Sequence, residues 1–442
     1  MSQKELLINE TDRDRFSRTG QLILGDKRIL LPNFGPRIKS RHELSSLANM
    51  SSLFPTDNVG FYTIRFSDQP QSIIPKISTL MQTRIDAGYL QNQSMKTFID
   101  ENVLLIDPCS EYLFYEGDSD SLLKQLKHIN KTQRKLRLVL DYLQKKKNYK
   151  ERMRKKTDYN NWKKSAYRRF WNELYRNTEE LSKLIGEVYD IELKYNADIL
   201  LPFVPVIDND GMLDITNRIN RISNAIAKNE SASYYLLKMS VLKNEALVNR
   251  MVDYIAREPS KLTVIKIKNI NLWQSGTMVQ REIYREMMRS LSYITEDNPS
   301  KAFLLLECGN HSLPSASVGF DMVSTSMTGL DLDAVYGHNV YGGWYSPIKL
   351  WQLSYDEAKR VFRNNDGTPP CSCPACVEIG AKGINNLIPS AWNNLRREHY
   401  IHTMNQTMQN ISIAVTQRES ELIRQSLIQS EVPKLAELIP RM

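Results

Sequence analysis

Short apolar runs recur along the chain: Ile29–Phe34, Gly60–Phe66, Asn102–Ile106, Asp198–Ile207, Tyr234–Val241, Leu262–Ile270, Ala302–Glu307 and Phe320–Met327. Each is rich in aliphatic or β-branched residues and close to continuous, the pattern of a strand buried on both faces. Helix-like stretches lie between most of them, over Asp214–Lys228, Lys243–Arg257, Val279–Thr295 and a shorter one near 312–318. Eight such strands alternating with helices predict an α/β chain folded as a (β/α)8 TIM-like barrel. Ahead of the barrel, residues 1–20 are charged and expected to be weakly fixed. Gly20–Gly25 and Lys27–Pro32 then read as two short strands about a Gly-Asp turn.

The interval between the third and fourth runs is far too long for a simple crossover. Residues 118–196 read as a helical insertion. Leu123, Leu126, Ile129, Leu136, Val139, Leu140 and Leu143 form a helical stripe, and Trp162, Tyr167, Phe170, Trp171, Leu174 and Tyr175 mark an aromatic-rich second helix. Leu181, Ile185, Val188 and Ile191 continue it, and a helical hairpin on the barrel rim is the expected arrangement. The chain then divides into barrel (1–117), insertion (118–196), remaining barrel (197–345) and a C-terminal subdomain (346–442).

Charge sharpens this picture. The chain carries a net charge of +9, but residues 124–176 alone hold 19 Lys/Arg against 4 Asp/Glu. Basic charge concentrated in one segment points to a polyanion, and Lys/Arg interleaved with Tyr and Trp suggests stacking on nucleic-acid bases. The polar opening Met-Ser-Gln-Lys-Glu is unlike a secretion signal, no apolar run reaches the length of a membrane helix, and five cysteines fit a reducing compartment. A cytoplasmic protein without membrane contact is the expectation.

Three of those cysteines lie together in Cys371-Ser-Cys373-Pro-Ala-Cys376, before a helix expected over 392–415 that carries His399 and His402. The i, i+2 spacing sends two sulfurs to one side of an extended chain, and a turn at Pro374 brings the third round. A thiolate-rich set closed by one imidazole selects Zn2+, and four protein ligands leave no open position, so the zinc is structural.

In a barrel, reacting groups project from the C-terminal strand ends. There the chain offers Asp107, a candidate base in Leu104-Leu-Ile-Asp107-Pro, and Asp208 and Asp210 in an Asp-Asn-Asp-Gly loop. Lys266 and Lys268 share one face of a strand; if that face is the lumen, a buried charge there needs an anionic partner. Glu307 and Cys308 end the seventh run, and Asp321, Ser324, Ser326 and Asp331 lie in or after the eighth. Cys109 and Cys308 read as small packing residues. The chain has no GxGxxG, Walker loop, HExxH or GxSxG in a suitable context.

The chain resembles the tRNA-guanine transglycosylase superfamily, barrel enzymes that exchange guanine for a 7-deazaguanine base. The specific likeness is Pro370-Cys-Ser-Cys-Pro-Ala-Cys376, most similar to the archaeal-type knuckle, with His402 at the family's spacing for the fourth ligand. Looser likenesses are Arg18-Thr-Gly-Gln-Leu-Ile-Leu with Leu30-Leu-Pro-Asn-Phe, Leu105-Ile-Asp107-Pro-Cys-Ser, and Ser317-Val-Gly-Phe-Asp321-Met322. The resemblance implies a metal set of Cys371, Cys373, Cys376 and His402, with Asp107 as acid/base. A carboxylate, Asp321 or Asp331, would attack the sugar C1′. Asp208 and Lys268 are the expected substrate contacts. Three departures stand out. Ser324 occupies the place of the family's second aspartate, Pro108 and Cys109 replace glycines, and Lys238-Met239-Ser240 replaces a Gln-Gly-Gly stretch. The resulting expectation is a nucleic-acid guanine transglycosylase using a covalent glycosyl-enzyme intermediate, acting on DNA in preference to tRNA. A non-catalytic nucleic-acid-binding homologue is the alternative. Expected partners are nucleic acid, a 7-deazaguanine base, and a second copy or partner subunit.

Overall fold

The computed structural model describes residues 5–53, 59–74, 87–115, 119–153, 156–227, 230–272, 274–327, 343–347, 349, 351–364, 369–430 and 433–439. Asp331 and the Gly/Tyr-rich stretch from Tyr336 to Gly342 lie outside them.

The chain opens with β1 (Leu6–Asp14), β2 (Ser17–Leu24) and β3 (Lys27–Leu31), an antiparallel sheet in the order β1-β2-β3. The β2–β3 turn at Gly25, which has φ 60°, is the predicted one. The segment expected to be weakly fixed is instead β1, paired with β2 from Leu6↔Leu24 to Asp14↔Ser17. Its charges obscure the strand in the sequence but are partly neutralised within it, where Arg13 Nε donates to Glu10 Oε1 at 2.8 Å.

Eight parallel strands follow: β4 (Asn33–Ile38), β5 (Phe61–Arg65), β6 (Val103–Asp107), β7 (Val206–Ile207), β8 (Ser233–Lys238), β9 (Leu262–Lys268), β10 (Ala302–Leu306) and β11 (Met322–Ser326). Their order is β6-β5-β4-β11-β10-β9-β8-β7, and the sheet curls until its two edges meet. Leu105 of β6 forms a parallel bridge with Ile199, and Leu200 bridges Ser231 ahead of β8. The α/β barrel architecture is therefore as predicted, with two local differences. The run Ile29–Phe34 straddles two elements, because Leu31 ends β3 and the barrel strand begins at Asn33. The ladder along Asp198–Ile207 is reduced to bridges and a two-residue strand, since Pro202 and Pro205 supply no backbone donors.

Crossover helices Asp210–Ile226, Glu245–Arg257 and Met278–Asp297 begin where side chains satisfy their first amides. Asn209 accepts from Met212 N, Asn244 from Leu247 N, and Thr277 forms a capping box with Gln280. A short helix, Ser312–Ala316, precedes β11.

The insertion is not a hairpin. It comprises four helices, Ser119–Gln133, Arg137–Arg152, Lys156–Arg176 and Thr178–Lys194. The first break falls at Arg134 and Leu136, both in the left-handed region, where neither glycine nor proline marks it in the sequence. The aromatic residues expected to stack on bases are buried or half-buried. Tyr167 and Trp171 are buried, Trp162 stacks on Tyr149 at 4.1 Å, and Trp171 lies over Phe203. The amide of Val206 donates to Tyr167 Oη at 2.5 Å, fastening the Lys156–Arg176 helix to the start of β7.

The last long helix, Pro389–Gln417, spans two cores. Its start packs with Trp344, Phe362, Cys373, Cys376 and Ile379, whereas Tyr400, Ile401 and Met404 belong to the barrel core. Tyr400 meets Phe34 of β4 edge-on at 5.9 Å. No helix among the described residues is long and apolar enough to cross a membrane.

Above the C-terminal strand ends, His311 is fully buried and bonded at both nitrogens: Nε2 accepts from Leu272 N at 3.1 Å, and Nδ1 lies 3.2 Å from Cys308 O. Burial lowers its pKa to about 4. The imidazole must then be neutral to fold, so its contribution is complete above the free-histidine value and fades as pH falls from about 6.5 to about 4. Stability measured by denaturant unfolding should drop through that window by up to about 3 kcal/mol, and His311→Gln should flatten the slope.

Candidate functional site: a metal knuckle and a charged barrel mouth

Cys373 caps the helix Pro374–Lys382, its Sγ accepting from Cys376 N at 3.3 Å, so one helical turn carries Cys376 back beside it. His399 projects from Pro389–Gln417 into the same point. Its Nδ1 lies 3.4, 3.3 and 3.3 Å from the sulfurs of Cys371, Cys373 and Cys376. All four donor atoms lie within 4.8 Å of one another. Tetrahedral Zn2+ with ordinary Zn–S and Zn–N bonds has edges of about 3.5–3.8 Å, so the donor set fits a structural zinc.

The fourth ligand is therefore His399 and not His402. Three helical residues turn the chain through about 300°, so the two side chains diverge by roughly 60° and only one can meet the thiols. His399 is buried and His402 is half-buried, lining a cavity beside the knuckle with Gln406 and Asn410. The second nitrogen of His399 is 2.6 Å from Tyr345 O, and its ring stacks on Trp344 at 4.5 Å. Nε2–H donating to that carbonyl leaves Nδ1 free for metal. The local signal for this choice is weak: His399 falls one and two helical turns after the apolar Leu395 and Trp392, whereas His402 lies one turn after Glu398.

A second constellation fills the C-terminal end of the barrel. Lys266 Nζ is buried in the lumen, 2.6 Å from Asp107 Oδ2, 2.6 Å from Glu111 Oε1 and 3.1 Å from Glu307 Oε1. The anionic partner that a luminal lysine requires is thus Asp107 itself. The other oxygen of Asp107 accepts from Cys109 N at 2.9 Å and from Tyr234 Oη at 3.3 Å. Glu307 also binds Arg65 Nε and lies 3.2 Å from Arg37 NH1, while Arg65 NH1 donates to Tyr112 Oη at 3.0 Å. Burial alone would strip the proton from Lys266, but Asp107, Glu111 and Glu307 hold its pKa well above the ordinary value. Burial likewise opposes the charge on Glu307, yet Arg65, Lys266 and Arg37 hold its carboxyl well below the usual range. Burial and the Asp107 charge push the Tyr234 phenol up, keeping it a donor.

Asp208 follows β7 and lies 3.8 Å from Arg168 NH2; Lys268 ends β9 with its Nζ 5.5 Å from the Tyr112 ring centroid. Both stand at the rim of the same mouth. Lys238, at the end of β8, joins them with its Nζ over Phe114 at 6.0 Å. Asp321 does not belong there. It precedes β11, at the opposite barrel end from Asp107, and clasps Arg18 through Nε at 2.6 Å and NH2 at 3.0 Å while accepting from Phe303 N. Its carboxylate ties the N-terminal sheet to the barrel floor and is removed from the candidate nucleophiles. Ser324 is buried within β11 beside Thr63 Oγ1 at 3.2 Å. Cys109 and Cys308 are both buried, and burial with the nearby Asp107 charge raises the Cys109 thiol.

Arg37, Arg65, Glu111 and Tyr234 went unrecognised in the sequence. Charged residues closing apolar runs, Phe-Tyr-Thr-Ile-Arg65 above all, are the signal that was available. No family model matches the chain, and no curated protein matches it.

Purified protein should contain zinc in one-to-one ratio. His399→Ala should abolish it and His402→Ala should retain it, as read by elemental analysis. Asp321→Ala should cost about 3–5 kcal/mol in unfolding measurements by stranding Arg18.

Proposed function

We propose that this zinc-binding barrel is a guanine transglycosylase of nucleic acid, exchanging guanine for a 7-deazaguanine base and favouring DNA over tRNA. The observation that carries the reading is a pair of carboxylates, Asp107 and Glu307, brought to the barrel mouth around one ammonium. Contacts of 2.6 and 3.1 Å to Lys266 keep their oxygens within roughly 6 Å, close to the separation at which one carboxyl can attack an anomeric carbon while the other serves the leaving group.

In this reading Glu307, ionised by three cations, forms a bond to C1′ as the C1′–N9 bond of guanosine breaks. Asp107, paired with the Lys266 ammonium, relays a proton from it to the departing guanine, leaving a neutral amine that is reprotonated when Asp107 hands back the next proton it receives. It then takes one from the incoming base, whose nitrogen displaces Glu307 and restores the carboxylate. The zinc supplies no step; it joins the last long helix to the cysteine loop beside the barrel.

Release of radiolabelled guanine from duplex DNA and from tRNA tests the proposal. Asp107→Asn and Glu307→Gln should each lower the rate by about 10²–10⁴. Wild-type protein that releases no guanine from either substrate removes the enzymatic reading. One observation favours a non-catalytic nucleic-acid-binding homologue instead: Ser324 holds the place of a family aspartate, and Asp107, Glu111 and Glu307 are all ion-paired. That reading requires salt-sensitive binding with no covalent adduct.

A further inference from the structure

The basic insertion divides into a buried aromatic side and an exposed cationic one. On the helix Lys156–Arg176, Asn161, Lys164, Arg168, Arg169, Asn172 and Arg176 share one exposed stripe and line an open groove of about 590 Å3. Glu173 also lines it. The stripe runs about 22 Å at the rise of an α-helix. Lys164, Arg169 and Arg176 form no ion pair among the described residues, so their charge is uncommitted. Arg168 is the exception, reaching Asp208 at 3.8 Å, where the stripe meets the barrel mouth. Lys238 and Lys268 extend the positive rim across the ends of β8 and β9.

We infer that this helix face is a track for a phosphodiester backbone, gripping it by charge without reading bases and leading it to the barrel mouth. The inference rests on the nucleic-acid substrate proposed above. Charge and length suit it: a 22 Å stripe matches about six nucleotides of a duplex strand at 3.4 Å each. Indifference to sequence follows because Tyr167 and Trp171 are buried in the core and the half-buried Trp162 already stacks on Tyr149. An anionic membrane is the other polyanion such a face could meet. A helix lying on lipid also inserts apolar side chains, and none of the exposed large hydrophobic residues lies on Lys156–Arg176. The Tyr167–Val206 hydrogen bond ties the helix that carries the track to β7.

The test uses the full chain and a labelled mixed-sequence DNA, as single strand and as duplex, with binding followed by anisotropy over a salt series. Replacing Lys164, Arg168 and Arg169 by Ala should reduce the slope of log affinity against log salt by about 2–3, given about 0.7–0.9 per phosphate contact. Replacing Lys124, Lys127 and Lys131 by Ala removes the same charge from the exposed side of another insertion helix and should leave most of that slope. Equal effects of the two triple variants would overturn the track, reducing it to diffuse attraction. So would preferential capture by phosphatidylserine vesicles, or retention of binding by the track variant. Guanine release separates the two readings. A track variant with wild-type KM in an active enzyme refutes the track alone. A wild-type protein that binds through the track but releases no guanine refutes the transglycosylase alone.

Discussion

One buried ammonium organises the open end of the barrel. Lys266 reaches from β9 across the lumen to carboxylates at two other strand ends, Asp107 closing β6 with Glu111 just beyond it, and Glu307 following β10. Three buried anions around a single cation would repel one another, and Arg37 and Arg65 complete the balance on the Glu307 side. Such a cluster survives in a low-dielectric lumen only when every charge has its counter-charge in place, so it fixes side-chain positions that loops alone would leave loose. The cost of removing these charges from water is offset only if the strands carrying them stay in register.

The remaining anchors hold that register from different sides. At the barrel floor, Arg18 and Asp321 join the opening antiparallel sheet to the start of β11. Gly35 of β4 sits under the Phe61 ring, where a Cβ would lie 2.2 Å from a ring carbon, so the two strands approach more closely than any other residue would permit. On the outside, the helix Pro389–Gln417 presents His399 to the cysteine loop and Tyr400 to Phe34. A metal bound at the knuckle is thereby linked mechanically to β4, the strand that carries Arg37. The insertion contributes the fourth anchor, its aromatic core extending the barrel's own through Trp171 and Phe203.

The split character of the insertion shows how one composition serves two purposes. Aromatic and basic residues alternate closely along residues 156–176, and helical geometry sorts them. The aromatic set falls on the face that covers β7, and the charged set remains in water. An aromatic ring buried there cannot also stack on a base, so charge alone remains for contact with a polyanion.

Much of this was legible in the chain itself. Near-continuous aliphatic runs separated by amphipathic stretches require strands covered on both faces, and that demand leads to a parallel α/β barrel. Three cysteines spaced as Cys371, Cys373 and Cys376 require a metal and a fourth donor, because thiolates packed so closely need a cation. Asp107 and Lys266 were recognisable singly, as charges at strand ends. What the sequence could not reveal depends on direction in space. Whether His399 or His402 closes the knuckle turns on about 60° of helix rotation. Whether Asp321 or Glu307 accompanies Asp107 turns on which end of a parallel strand each occupies. That Lys266 and Asp107 meet, though 159 residues apart, follows only from closure of the sheet. Local pattern sets which elements form, whereas these pairings are long-range electrostatic contacts that exist only once all eight strands share one lumen.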